Sequence, residues 1–134
     1  KITIGGVTTD EIAGNSATRM VVTRTYNQEV FGGGSPERNV HNHVFTLTHA
    51  ATVMVFATGS SYSGDGTVVV QWKLYVNGAV YAVSVSRQGS PLVIQWSAQL
   101  PAGTYTAQVT GQGIGGTNAY GFDNFAITSF QSIR

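Results

Sequence analysis

The sequence predicts an all-β protein, an antiparallel sandwich of two sheets arranged as a jelly roll. From residue 17 onward, β-branched and aromatic residues alternate with polar ones in short runs, Gly, Pro, Asn and Ser separate the runs, and helix signals are nearly missing. Runs at this spacing, with no crossover helices between them, form antiparallel sheets that pack face to face. A length of 134 residues is enough for one such domain and too short for two.

The first element in chain order, residues 1–16, is predicted to be a stem or connector that precedes the sandwich. Ile2 and Ile4 alternate with polar residues, and Val7 and Ile12 follow a Gly-Gly pair. A segment this short offers no partner surface for these apolar side chains. We therefore expect it to begin in a longer fibre and to pack against neighbouring copies of the chain.

Eight strands are predicted in the sandwich, to which we assign residues 17–134. Each strand is a run of alternating residues that ends at a turn signal. In order, the strands cover residues 18–25, 40–48, 51–58, 67–76, 79–86, 92–98, 104–110 and 120–130.

Alternation along these strands predicts the core, because successive residues of a strand point to opposite faces. Asn77 and Gly78 give the strongest hairpin signal, since both central residues of a type I′ turn need a positive φ. Around this turn, the residues predicted to be buried are Val68, Val70, Trp72, Leu74, Val76, Tyr81, Val83 and Val85. In later strands they are Leu92, Ile94, Trp96, Tyr105, Ala107 and Val109.

Three segments between strands, residues 26–39, 59–66 and 111–118, are longer than simple turns. Loops on a rigid sandwich are where recognition is commonly placed, so we expect these segments to contact a binding partner. The candidate contact residues are Phe31, Tyr62, Asp65, Gln112, Ile114, Asn118 and Tyr120.

Composition excludes several functional classes. The net charge is +1 and only 10% of residues are charged, so the basic surface that nucleic acid requires is missing. No apolar run is long enough for a membrane span, which argues against membrane insertion. The chain has no cysteine, hence no thiolate metal site or cysteine nucleophile, and its six acidic residues show no pairing pattern for glycoside hydrolysis. We predict that the protein is not an enzyme.

His41 and His43 form the sharpest local motif. Two residues apart on a strand, they point to the same side, where Phe45 and Leu47 continue the row. One interpretation is a hydrogen-bonded pair at the rim of a core, and the other is a pair of metal ligands. The carboxylate and the second histidine motif of a cupin are missing, which argues against that class of jelly-roll enzyme.

Residues 111–116, GQGIGG, match the sequence pattern of a dinucleotide-binding loop but not its structural context. That pattern works where a helix follows the glycines, and here another predicted strand follows. The segment is interpreted as a surface loop. Flanked by Tyr105 and Tyr120, it is a candidate for presenting backbone amides and aromatic faces to a sugar.

Residues 4–18, IGGVTTDEIAGNSAT, resemble the connector segments of phage tail-tip and tail-fibre proteins, which wind about a threefold axis. Residues 74–78, LYVNG, and 100–106, LPAGTYT, resemble the β-sandwich tip domains that follow such connectors. The resemblance implies a homotrimeric virion protein, located extracellularly at the tip of a tail fibre. It also implies that the tip binds a bacterial surface receptor, whether glycan, lipopolysaccharide or outer-membrane protein, without chemistry.

The same resemblance gives His41 and His43 a third interpretation, because some trimeric phage spikes hold iron on their axis with His-x-His pairs. Three chains would then supply six imidazoles to one structural metal ion. The phrases in residues 74–78 and 100–106 also occur in secreted carbohydrate-binding sandwiches. The alternative function is accordingly a carbohydrate-binding module of a secreted hydrolase, which would be monomeric and would use exposed aromatic residues such as Tyr62 and Tyr120.

Overall fold

A computed structural model describes residues 18–132, which form nine β-strands and, over that range, no helix. The predicted stem, residues 1–16, lies outside the described residues. The strands are β1 (Thr18–Thr25), β2 (Glu29–Gly32), β3 (Arg38–Leu47), β4 (Ala51–Gly66), β5 (Val69–Val76), β6 (Ala79–Arg87), β7 (Leu92–Leu100), β8 (Gly103–Ile114) and β9 (Asn118–Ser132).

The strands form two antiparallel sheets that pack face to face. One sheet has the order β1-β9-β4-β7, with β2 pairing to the same edge of β9 beyond β1, and the other has the order β3-β8-β5-β6. Because β1 and β2 follow one another along β9, they act as a single interrupted strand. The resulting pair of four-position sheets has the strand order of a jelly roll, and the predicted fold class is confirmed.

The core is built around Trp72 in β5, which is fully buried. Its ring packs edge-on against Phe31 of β2 and Phe122 of β9, with ring centroids 5.4 and 5.0 Å away. Its indole Nε1–H donates a hydrogen bond to Ser86 Oγ at 2.8 Å, so the one polar atom of this side chain is satisfied. The alternation in β5, β7 and β8 places the predicted side chains inward, with Trp96 and Tyr105 at the margin of the core.

The prediction for β6 was wrong. Tyr81, Val83 and Val85 are exposed, and Ser86 is buried in their place. The pairing with β5 shifts at a β-bulge between Leu74 and Tyr75, which reverses the inward and outward positions of the strand that follows the turn.

Two of the three predicted long loops, residues 59–66 and 111–118, are mostly strand, and residues 26–39 are strand in part. Residues 59–66 continue β4 and pair with β9, residues 111–114 complete β8, and residues 29–32 form β2. Glycine and serine lowered the strand signal here, but the glycines leave room for neighbouring rings. The Tyr62 ring lies over Gly121, where a Cβ would approach it to 2.5 Å.

The two ends of the sandwich differ in what they carry. At one end, which we call the terminal end, Thr18 pairs with Ser132, and the turns at residues 48–50, 77–78 and 101–102 lie there. At the opposite end, the distal end, Gly66 pairs with Asn118. Four connections lie at the distal end, namely residues 33–37, 67–68, 88–91 and 115–117.

Candidate binding site at the distal end

The connections of the distal end pack on one another rather than standing apart. The Thr67 amide donates to the Thr117 carbonyl oxygen at 3.1 Å, and the Thr117 amide donates to Thr67 Oγ1 at 3.1 Å. A Cβ at Gly33 would approach the Gly116 carbonyl oxygen to 2.6 Å, so these two turns touch through their backbones. The distal end is therefore a preformed surface, as a binding site on a rigid scaffold requires.

The side chains exposed at this end are mainly neutral hydrogen-bonding groups. Exposed positions include Thr67, Gln88, Ser90, Thr117 and Asn118, with the charged residues Asp65 and Arg87 beside them. Gly115 and Gly116 have φ values of 58° and 91°, which turn the chain sharply between β8 and β9. Such a surface offers donors, acceptors and accessible backbone, and it suits a polar, uncharged partner.

Five of the predicted contact residues are accessible in this region. Asp65 and Asn118 lie on the paired ends of β4 and β9, and Gln112 and Ile114 lie near the end of β8. Tyr62 is 40% exposed, and its ring lies close to Gly121.

The other two predicted contact residues, Phe31 and Tyr120, are buried, which corrects their assignment. Phe31 belongs to β2 and packs into the core against Trp72. Tyr120 packs against Gly89, and its hydroxyl donates to the Gly66 carbonyl oxygen at 2.9 Å. Tyr105 lies at the terminal end, where its hydroxyl donates to the Pro101 carbonyl oxygen, so it does not flank the glycine-rich segment.

Glu37 is a distal-end residue that the sequence pattern did not single out. Its Oε2 accepts hydrogen bonds from Thr110 Oγ1 and Tyr75 Oη, both at 2.6 Å. These bonds, with the nearby charge of Lys73, hold the pKa of Glu37 below its usual 4.5. The carboxylate thereby ties the β2–β3 connection to the outer face of the four-stranded sheet.

His41 and His43 point to the same side, as predicted, and that side is the interior. Thr23 Oγ1 of β1 lies 2.9 Å from His41 Nε2 and 2.8 Å from His43 Nδ1. His43 Nε2 lies 2.9 Å from Ser129 Oγ of β9. The two histidines, Thr23 and Ser129 thus form one hydrogen-bonded chain between the sheets. Ser129 is a polar residue at an inward position of its strand, and this is the sequence signal that indicates a hydrogen-bond partner for His43.

This geometry does not fit a metal ion on a trimer axis. His43 is buried inside a single sandwich, and both of its ring nitrogens already face hydroxyl groups. In the described part of the chain, no group of three or more His, Asp or Glu side chains is arranged to hold a metal ion.

The histidine chain predicts a loss of stability in acid. Burial lowers the pKa of His43 and of His41 below 6.5, with the neighbouring His41 adding to the effect on His43. The unfolded chain then binds protons more readily, so the free energy of unfolding is highest above about pH 6.5 and falls as the pH drops below that value. We expect the urea midpoint to decrease between pH 7 and pH 5, and to decrease less in His43→Gln.

The control for that measurement is His49→Gln, since His49 is exposed on the β3–β4 turn. We expect this variant to keep the pH dependence of the unmodified protein. An equal pH dependence in His43→Gln and the unmodified protein would show that the buried pair does not control acid stability.

Comparisons with known proteins give no family. No protein-family model matches the sequence, and no curated protein matches it significantly. Similar solved structures include a chain of Bacillus endospore appendages, described as disulfide-linked pili, with 13% identity, a TM-score of 0.43, and coverage of 90% of this chain and 95% of that one. A chain of the infectious bursal disease virus Gx strain has 6% identity and a TM-score of 0.41, and its match covers 89% of this chain and 37% of the viral one.

None of the described residues belongs to a helix of the length and hydropathy that a membrane crossing would need.

Proposed function

We propose that this chain is a non-enzymatic receptor-binding domain at the tip of a phage tail fibre, and that it attaches a homotrimeric fibre to a bacterial surface. One observation carries the proposal. The described chain enters and leaves the sandwich at the terminal end, where Thr18 pairs with Ser132, whereas the four connections lie at the distal end. A domain held through the predicted stem, residues 1–16, would present its distal end away from the fibre.

The chemistry of the distal end supports the same proposal. Its connections are closely packed, glycine-rich and mainly uncharged, which suits a surface glycan or an uncharged protein loop. Two polar networks among the described side chains link strands of the sandwich to one another or to a connection. Glu37 accepts a hydrogen bond from Thr110, and His43 is hydrogen-bonded to Ser129. The alternative, a monomeric carbohydrate-binding module, drew on Tyr62 and Tyr120 as exposed rings, and the burial of Tyr120 removes that platform.

Binding to bacterial cells tests the proposal through two matched variants. Ile114 at the distal end and Val80 near the terminal end are 44% and 46% exposed, on the same outer sheet face. We expect Ile114→Lys to weaken adsorption of the fluorescently labelled domain to a panel of bacterial strains by about tenfold or more, the effect of losing one central contact. Val80→Lys should adsorb as the unmodified domain does.

Two results would contradict the proposal. One is adsorption that Val80→Lys weakens as much as Ile114→Lys, since binding would then not be confined to the distal end. The other is a monomeric mass by light scattering for the 134-residue chain, because the proposal requires a homotrimer.

A further inference from the structure

The histidine chain, formed by Thr23, His41, His43 and Ser129, joins two edge strands of opposite sheets. β1 ends the five-stranded sheet and β3 ends the four-stranded sheet, on the same side of the sandwich. Thr23 of β1 is hydrogen-bonded to both imidazoles of β3, at 2.9 and 2.8 Å, and His43 is also hydrogen-bonded to Ser129 of β9. The polar contact between the two edges therefore passes through one hydroxyl group.

β1 depends on this contact because it contributes little to the core. Of the described core residues, none lies on β1, where Met20 and Val22 are exposed and the inward residues are only half-buried. β2, which follows β1 along β9, instead buries Phe31 completely. β1 is thus held by its backbone pairing with β9 and by Thr23. A strand with so little buried apolar surface opens at a lower free energy than the core strands do.

The histidine chain accepts one proton without losing a hydrogen bond. A threonine hydroxyl has one hydrogen to donate and two lone pairs, and a neutral imidazole has one N–H group and one acceptor nitrogen. When His43 carries the added proton, its two N–H groups donate to Thr23 and Ser129, and the Thr23 hydroxyl donates to His41 Nε2. All four groups are then still paired.

A second proton breaks the histidine chain at Thr23. With both rings charged, His41 and His43 each direct an N–H group at Thr23 Oγ1, so the hydroxyl hydrogen loses its acceptor and two cations meet at one oxygen atom. Burial lowers the pKa of both rings, so each charge is already unfavourable in the closed sandwich. Both effects are relieved when Thr23 moves away and water reaches the rings.

The strands around the histidine chain carry few charged groups. Their charged and titratable side chains are Arg19 and Arg24 of β1, Glu29 of β2, Arg38 of β3, Tyr105 of β8, and Tyr120 and Asp123 of β9. Arg24 alternates with Thr23 and so points to the outer face, while Glu29 and Arg38 form an ion pair with each other at 3.3 Å. Both tyrosine hydroxyls donate to backbone carbonyl oxygens. Among the described side chains, no carboxylate lies within ion-pair distance of either imidazole to offset its charge.

We propose that the histidine chain is an acid-sensitive latch, which holds β1 on the sandwich and releases it when both histidines are protonated. The rest of the sandwich stays closed, because β9 keeps its pairing with β4 and Phe31 keeps β2 in the core. β1 follows the predicted stem, and its eight residues span up to about 26 Å when they are extended and unpaired. Acid therefore lengthens the connection between the stem and the body of the domain, whatever the distal end binds.

A spin label on β1 tests the latch, because the chain contains no cysteine that would also react. Val22→Cys places the label on the outer face of β1, at a position that is 45% exposed and points away from the histidine chain. Release of β1 takes up two protons, and each changes the opening equilibrium by up to about tenfold per pH unit. We expect the ratio of mobile to immobile label in the electron paramagnetic resonance spectrum to rise by about tenfold or more between pH 7 and pH 5.

The matched control is a label at Val93→Cys, 58% exposed on the outer face of β7, the opposite edge strand of the same sheet. We expect this label to stay immobile over the same pH range. Equal mobilisation of both labels would show that acid unfolds the whole domain and would overturn the proposal. A label at Val22→Cys that stays immobile at pH 5 would overturn it as well.

Two further substitutions, each combined with the β1 label, separate the latch from a general effect of acid. His41→Gln keeps a hydrogen-bonding group opposite Thr23 but takes up no proton, so it should hold the label immobile at pH 5. Thr23→Val removes the contact itself and should mobilise the label already at pH 7. His49→Gln, on the exposed β3–β4 turn, should leave the pH response unchanged. A full pH response in His41→Gln, or an immobile label in Thr23→Val at pH 7, would contradict the latch.

Discussion

Gly113→Ala should lower the free energy of unfolding by about 3 kcal/mol, the upper part of the range for overpacked sites. Gly113 lies near the end of β8, where its amide donates to the Ser35 carbonyl oxygen and its own carbonyl accepts from the Gly34 amide, both at 3.2 Å. These bonds seat the β2–β3 connection against β8. A Cβ at position 113 would overlap the Gly32 carbonyl oxygen, so the connection would have to move and both bonds would be lost. Urea unfolding monitored by tryptophan fluorescence measures the change.

Gly32→Ala is the matched control, because Gly32 faces Gly113 across the same contact. The nearest atom to a Cβ at position 32 is the Asn118 carbonyl oxygen at 3.4 Å, an ordinary van der Waals distance. We expect a change of about 0.5 kcal/mol or less, as for substitutions that meet no obstruction. Equal losses in the two variants would show that the β2–β3 connection is not seated against β8 as described.

The sequence was sufficient for the fold wherever strands alternate without interruption. The run that ends at Val76 places Trp72 and its neighbours inward, and the turn that follows has the expected positive φ values, 49° at Asn77 and 85° at Gly78. Burial of one face of a strand specifies the strand register strongly, because a shift of the pairing by one residue would move every side chain to the opposite face of the sheet.

Prediction failed where the strand pattern is broken by a bulge or by close packing of backbones. The β-bulge in the pairing of β5 with β6, between Leu74 and Tyr75, exchanges the inward and outward residues of β6. No turn residue in the sequence indicates this bulge. Glycine has a low strand propensity, so the sequence predicts a loop at Gly64 and Gly66, although both residues pair with β9. Whether a glycine marks a turn or makes room for a neighbour depends on the partner strand, which lies far away in the sequence.

The candidate site shows the same division. Gln112, Ile114 and Asn118 are accessible at the distal end. Their position could be predicted, because turn residues between two strands indicate a connection there. Phe31 was misplaced because a single apolar residue before three glycines has no period that would indicate burial. Long-range packing decides its position, since its ring meets Trp72 and Phe122 from other parts of the chain.

Phe31→Ala should therefore destabilise the fold rather than weaken a surface contact. The Phe31 ring is fully buried between Trp72 and Phe122, and the guanidinium of Arg38 lies 4.3 Å from its centroid. Truncating it removes the buried phenyl group and leaves a cavity in the core. Core substitutions of this kind cost about 3–5 kcal/mol. Urea unfolding gives the loss, and the cell adsorption measured below the unfolding transition should match that of the unmodified domain.

Val30→Ala is the control for Phe31→Ala, because it truncates an exposed side chain on the same strand. Val30 is the neighbour of Phe31 on β2, is 53% exposed and points to the outer face, so its truncation should change the free energy of unfolding by about 0.5 kcal/mol or less. A Phe31→Ala variant that keeps its stability and loses adsorption would restore Phe31 as a receptor contact and show that β2 is not docked on the core. A large loss of stability in Phe31→Ala alone would show that β2 is docked on the core, as the burial of Phe31 indicates.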